Sequence, residues 1–304
     1  MSAASAATTA TNPTGRSVDG ERPVVPAAIA HPVVDLVTGP LRPATILATH
    51  SAAVLLVCDA GDQTRVVTVL TAQASGVPNG VRTALHAADR PFEHLAVGDA
   101  ALIGGGDVRL RDLRVHAVRT VRTAVPRIAP PPEVAAALQA AVATVPRGVH
   151  EHPVQAFRQA LAGGSPATLR AAVAALVGLG GGSTPGGDDV LCGALAALHA
   201  TGREVLAQQV AVAALHDVAA RTPLLSADLL RLAARGHACE EAGAVLRAAA
   251  RVPDDAFRRT VARLVAIGHT SGADLATGLA IGLAVPTQPL PPRPRFRRTA
   301  TAVR

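Results

Sequence analysis

Gly-Gly-Gly-Ser-Thr-Pro-Gly-Gly-Asp-Asp-Val-Leu-Cys-Gly, residues 180–193, is followed at once by an apolar run to Ala200. Glycines allow positive φ and a close ligand approach. Thr184 before Pro185 reads as a cap hydroxyl and a first helical residue. The stretch therefore predicts a glycine loop feeding a helix N-terminus, where free N–H groups and the helix dipole favour an anion. No Lys follows the glycines, so it is not a nucleotide-triphosphatase phosphate loop. No clear strand precedes it, so it is not a dinucleotide fingerprint.

A second stretch repeats the order. Thr270-Ser271-Gly272-Ala273-Asp274 leads into the apolar run Leu275–Val285. Asp189 is followed four residues later by Gly193, and Asp274 by Gly278. That spacing puts each Asp and its Gly on one helical face, and Ala197 and Gly282 extend the two faces with small residues. Two such helices can cross closely, bringing the Asp-bearing N-termini together. The simpler alternative is glycines that serve packing alone and aspartates that only complement the dipoles.

The rest of the 304-residue chain narrows the function classes. It has no Lys, Trp or Tyr and only four Phe, so Ala, Val and Leu must fill the core and a Schiff-base lysine is excluded. Net charge is +7, but residues 286–304 carry five Arg and no acid, so the remainder is 7 − 5 = +2. A near-neutral body poor in aromatics lacks a basic groove and stacking platform, which speaks against nucleic acid. Three scattered cysteines, Cys58, Cys192 and Cys239, form neither a disulfide framework nor a zinc spacing. Cys192 reads as a small buried residue rather than a nucleophile. There is no secretory h-region and no run of the ~18 apolar residues that span a bilayer, so a soluble cytoplasmic protein is expected.

In chain order, residues 1–28 read as disordered. Short apolar, partly β-branched runs follow: Pro32–Val37, Pro43–Thr49, Ala52–Cys58 with a turn to Thr64–Leu70, Ala96–Ile103 and Val108–Val121. They predict a small β domain over 29–125, a barrel or sandwich. Pro126–Pro132 is a boundary. Helical periodicity then runs over Pro131–Val145, Pro153–Ala162, Pro166–Leu179, Gly202–Arg221, Thr222–Ala234, Glu240–Arg251 and Asp254–Ile267. The expected fold class is α+β, with an all-helical orthogonal bundle over 132–285 and a disordered basic tail over 286–304.

Three segments carry a family resemblance. Gly-Gly-Gly-Ser-Thr-Pro-Gly-Gly-Asp-Asp (180–189), Arg-Thr-Pro-Leu-Leu-Ser (221–226) and Gly-His-Thr-Ser-Gly-Ala-Asp (268–274) resemble, in order, the signature segments of the AllH-like family, long catalogued as a domain of unknown function. The resemblance is strongest over Gly178–Leu283 and weaker through the β domain. Family members include one subunit of oxamate carbamoyltransferase, which acts in anaerobic allantoin degradation and so in purine catabolism. A large aliphatic residue is usual at Ser183, a serine at Gly187 and an aromatic at Ala273.

The resemblance implies carbamoyl transfer from oxalurate to phosphate, in a complex with an acyl-CoA-synthetase-like subunit and a second uncharacterised subunit. Carbamoyl phosphate and oxamate each place an NH₂ beside an anionic group. Such a small anionic amide needs acceptors for the NH₂ and donors for the anion. Asp188, Asp189 and Asp274 are the candidate acceptors. Loop N–H groups around Gly186, Gly187 and Gly272 are candidate donors, with Ser183, Thr184, Thr270 and Ser271 beside them. Arg221 would clamp phosphate or carboxylate, and His269 would shuttle a proton. Alternative readings are a non-catalytic subunit that binds a small anion, and a hydrolase in which the paired aspartates hold Mg²⁺.

Overall fold

The computed structural model describes residues 23–61 and 63–286. The first 22 residues and the tail beyond Pro286 lie outside them, and the expectations made for those segments go untested. The described N-terminus corrects one boundary. Residues 24–28, expected to be disordered, belong to β1 (Val24–Ala30).

A short helical stretch, ending in α1 (Val34–Thr38), follows β1. Pro32–Val37 is therefore not a strand. Pro32 sits in the first helical turn, where its missing N–H is no loss, and Val33, Leu36 and Val37 are buried against the barrel. The remaining strands are β2 (Arg42–His50), β3 (Ala53–Ala60), β4 (Gln63–Leu70), β5 (Gly80–Thr83), β6 (Ala100–Gly104), β7 (Asp107–Arg109) and β8 (Arg114–Val121). They close into a barrel in the order β1-β5-β4-β3-β2-β6-β7-β8, with β8 returning parallel to β1. Closure removes the exposed edges an open sheet would leave. Ile46, Leu56, Val67, Ile103, Val108 and Val115 fill its interior.

Beyond the proline boundary come α2 (Glu133–Val142), α3 (Glu151–Gly163), α4 (Pro166–Leu176), α5 (Gly186–Ala200) and α6 (Glu204–Leu215). The run read as one helix to Arg221 breaks here. Asp217 takes φ 51°, a left-handed conformation that stops α6 and starts the single turn α7 (Val218–Arg221). Then follow α8 (Leu224–Ala233), α9 (Glu240–Ala248), α10 (Asp255–Val265) and α11 (Ser271–Leu283). The architecture is an N-terminal eight-stranded barrel followed by a helical region.

Two helices with almost no polar surface form the centre of that region. Nearly every residue of α5 and α11 is buried. A Cβ on Gly193 would stand 2.1 Å from the Leu275 carbonyl oxygen, and one on Gly278 would stand 2.0 Å from that of Val190. At Gly282 it would stand 2.7 Å from the Ala197 Cβ. The helices thus meet backbone to backbone along the small-residue faces, and only glycine fits at the first two points.

Barrel and helices are joined by polar contacts across a shared seam. Arg65 Nε on β4 donates to Asp228 Oδ1 on α8 at 2.8 Å, with both side chains buried. Arg82 pairs with Glu240 at 2.7 Å, and Ser75 Oγ donates to Glu241 Oε2 at 2.6 Å. The Glu240 N–H donates to the Gly76 carbonyl, and Ala124 bridges to His237.

The α5–α11 contact has a sign that tests it. In an isolated helix Gly→Ala stabilises by about 1 kcal/mol, whereas overpacking costs about 1–3 kcal/mol. Gly193→Ala and Gly278→Ala should each lower the thermal midpoint followed by circular dichroism. A raised midpoint in either would show that the backbones do not touch there.

Candidate functional site

The two Asp-bearing junctions meet because the glycine faces behind them meet. The turn before α5 uses Gly178 and Gly180 at φ 74° and 114°, conformations that L side chains rarely adopt. At Gly178 a Cβ would also strike the Arg221 carbonyl oxygen at 2.0 Å. This turn carries Thr184 to Ser271, hydroxyl to hydroxyl at 3.0 Å. A Cβ on Gly186 would stand 2.7 Å from Asp274 Oδ2, so the second junction lies directly on the first.

The hydroxyls do not cap their helices. Pro185 itself is the N-cap of α5, and Pro223 that of α8. A proline at N-cap displaces the preceding threonine by one residue, out of reach of the first-turn N–H groups. Thr184 and Thr222 are thereby released for contacts between segments.

The three aspartates divide into different tasks. Asp188 is buried, and its carboxylate accepts from the Gly178 N–H at 2.8 Å, from Ser226 Oγ at 2.7 Å and from Thr222 Oγ1. Protein donors occupy both oxygens, so it ties the glycine turn to α8 rather than facing a ligand. Asp274 is also buried and accepts the Gly148 N–H at 2.8 Å, fixing the segment before α3. Burial pushes its carboxyl above the ordinary range, against the opposing Gly148 and Thr270 hydrogen bonds. Of the three, Asp189 lines the cavity described next, and its buried Oδ2, like Asp274 Oδ1, has no protein partner. Burial holds its carboxyl well above the ordinary range. The nearby Ser271 hydroxyl opposes that shift, and the Asp274 and Asp188 charges add to it.

That cavity has a volume of about 660 Å³ and lies between the barrel and the helices. Ser183, Thr184, Asp189, Ser271 and Gly272 are the expected site residues on its wall. Gly186, Gly187, Asp188, Arg221, His269, Thr270 and Asp274 do not line it. The expected cradle of N–H donors is corrected. The Gly187 N–H donates to the Leu179 carbonyl and the Gly272 N–H to that of Ile267, so neither is offered to an anion. A Cβ on Gly187 would stand 2.1 Å from the Leu176 carbonyl oxygen, so this face of α5 abuts the end of α4. Arg221 is also corrected as a clamp, because its guanidinium donates to the Ala174 carbonyl. His269 is exposed on the turn before α11. The paired-aspartate Mg²⁺ ligand set is split, Asp188 being engaged by protein donors and Asp189 facing the cavity. Among the described residues no three His, Cys, Asp or Glu side chains converge as a metal cage.

The cavity also has polar residues that sequence reasoning did not single out. His237 and Glu241 stand on its helical side, Ser75 and His50 on its barrel side, and Arg263 is exposed at its rim. Burial, with the His31 and Arg235 charges, lowers the His237 imidazole, which favours its neutral form. Its Nδ1 lies 3.0 Å from Thr123 Oγ1. Nothing local in the sequence marks these positions, since they converge only when the barrel seats on the helices. Cys192 and Cys239 face the cavity too, but neither is an activated thiolate. Burial pushes Cys192 well up and Cys239 up to about 12.

A family model described as oxamate carbamoyltransferase subunit AllH matches residues 176–283, the segment from the end of α4 through α11. This is the family whose three signature segments the chain resembles, and its description is that of one subunit of a multi-subunit enzyme. The barrel lies outside the matched segment, so the weaker resemblance read there has no counterpart in the match. No curated protein and no solved structure matches the chain. No helix among the described residues is long and apolar enough to cross a membrane.

Asp189 gives a pH signature. A carboxyl raised by folding favours the folded state at low pH, and that contribution is lost as pH rises through its folded pKa. Asp189→Asn removes this loss and, by removing a neighbouring negative charge, also eases the ionisation of Asp274, which acts in the same direction. The midpoint of the variant relative to wild type should therefore climb as pH is raised from about 4 to 8. A constant difference across that range would show that Asp189 titrates normally.

Proposed function

We propose that this chain is a subunit of a multi-subunit carbamoyltransferase of the oxamate carbamoyltransferase type, and that the cavity between barrel and helices holds the carbamoyl end of its substrate. One observation carries the reading. Asp189 is the motif aspartate that lines the cavity, and burial favours its neutral form. A neutral carboxyl presents a carbonyl acceptor and a hydroxyl donor side by side. A primary amide presents an NH₂ donor and a carbonyl acceptor in the complementary order. Two parallel hydrogen bonds then join them, and simple anions gain no such pairing. The Thr184 and Ser271 hydroxyls flank this position, and Arg263 at the rim supplies positive charge for the substrate carboxylate.

The proposed reaction takes oxalurate and phosphate to oxamate and carbamoyl phosphate. A phosphate oxygen attacks the carbamoyl carbon, the bond from that carbon to the oxamate nitrogen breaks, and the nitrogen gains the proton that phosphate loses. Asp189 donating to the carbamoyl oxygen stabilises the charge that develops there. Neutral His237, on the same cavity wall, is the group suited to carry the proton. In this reading the chain works in the cytoplasm and turns over only with its partners, an acyl-CoA-synthetase-like subunit and a second uncharacterised subunit.

Calorimetric binding of oxamate and oxalate to the assembled complex tests the pairing, because oxalate lacks the NH₂. Asp189→Leu should weaken oxamate about tenfold to a hundredfold, the value of one or two such hydrogen bonds, and spare oxalate. Asp189→Asn can still pair with an amide, so it should retain oxamate and lose the pH dependence of binding. Equal losses of both ligands would end the carbamoyl reading. Undiminished oxamate formation from oxalurate by an Asp189→Leu assembly would favour a non-catalytic binding subunit.

A further inference from the structure

A second hollow, of about 240 Å³, lies on the same seam behind the main cavity. The two share Leu70, Val77, Ala238 and Cys239 as a common wall. Arginines from three separate elements face this hollow: Arg82 on β5, Arg122 just after β8 and Arg247 in the last turn of α9. Glu240 is its one acidic lining residue, and Arg82 pairs with it at 2.7 Å. Arg122 and Arg247 have no ion pair among the described residues. The lining therefore carries 3 − 1 = +2 formal charges.

The backbone is shaped to admit these groups. Gly243 has no side chain, and a Cβ there would stand 3.3 Å from the Arg247 guanidinium, which lies back over its own helix. A Cβ on Gly76 would stand 2.9 Å from Glu240 Oε2 and 3.5 Å from the Arg82 guanidinium. The remaining wall is mostly apolar, from Ala28, Ala30, Leu70 and Val121 among others, with Thr123 as a polar member. Three guanidiniums drawn to one concave surface repel one another unless a counter-charge enters. Arginine forks match the oxygens of phosphate and carboxylate groups.

We propose that this hollow is a binding site for a small doubly charged oxyanion, of the kind that phosphate and short dicarboxylates share. The inference is independent of the carbamoyl reading, since none of its residues is needed there. The position also links the two cavities. The strap that bears Gly76 carries Ser75, whose hydroxyl holds Glu241 on the main cavity wall, while the Gly76 carbonyl holds the Glu240 N–H.

Calorimetry on the full chain at fixed ionic strength tests the proposal, with inorganic phosphate, succinate and acetate as probes. Phosphate, succinate or both should bind saturably, and acetate should bind at least tenfold more weakly. Whichever dianion binds identifies the source, a phosphate or a dicarboxylate. Arg122→Gln and Arg247→Gln are exposed changes that leave the seam pair Arg82–Glu240 in place. Each should weaken the dianion roughly tenfold, as expected for loss of a charge-assisted hydrogen bond, and Asp189→Leu should not. Absence of saturable heat from both dianions would overturn the proposal. So would unchanged affinity in the Arg122→Gln, Arg247→Gln double variant, or a response that sodium chloride at matched strength reproduces.

Discussion

The backbone contact of α5 with α11 at Gly193 and Gly278 sets the rest of the structure. Each glycine lets a carbonyl oxygen of the facing helix come within about 2 Å of where a Cβ would sit. Helices held that close cannot slide or splay without opening a void in a densely packed core. Their N-termini are therefore fixed side by side, and the loops that lead into them are brought together. Thr184 reaches Ser271, and Gly186 abuts Asp274. The motif residues belong to one assembly because the helices behind them have no side chains to keep them apart.

The three carboxyls of that assembly are sorted by what each one faces. Asp188 takes a backbone N–H and two hydroxyls, so it serves as a structural knot between the glycine turn and α8. Asp274 takes the Gly148 N–H and anchors the chain before α3. Asp189 lines the cavity, and its buried Oδ2 has no protein donor. A buried carboxyl short of donors is unfavourable as an anion, and folding holds it towards the neutral form. That arrangement weakens the folded state at high pH. It supplies a donor and an acceptor in one place, which a saturated aspartate cannot do.

Much of this was legible in the sequence, for reasons of spacing. Asp189–Gly193 and Asp274–Gly278 at four residues predicted one shared face per helix, and a close crossing was one of the two readings that such faces allowed. Short apolar, partly β-branched runs in the N-terminal half predicted strands but left barrel and sandwich both open, because closure depends on the non-local pairing of β1 with β8. The helix break at Asp217 was hidden because nothing in the apolar pattern signals a left-handed residue. The capping hydroxyl of Thr184 misled for a local reason, the shift of the N-cap onto Pro185. Arg221 and His269 carried the right chemistry in motif positions, yet a carbonyl takes the first and the second is exposed. The barrel's share of the cavity, Ser75 and His50, had no motif to reveal it and arises only from docking two regions along a seam.

The claim on which the account rests is that the two motif junctions touch. Their hydroxyls stand 3.0 Å apart at Thr184 and Ser271, close enough for cysteines at both positions to reach disulfide geometry with little backbone movement. Mild oxidation of the Thr184→Cys, Ser271→Cys double variant, followed by peptide mapping in a mass spectrometer, measures that proximity directly. The account predicts an intramolecular 184–271 disulfide formed in the folded protein with the thermal midpoint retained or raised. Cysteines that stay reduced in a natively folded variant, or that link only between molecules, would contradict it.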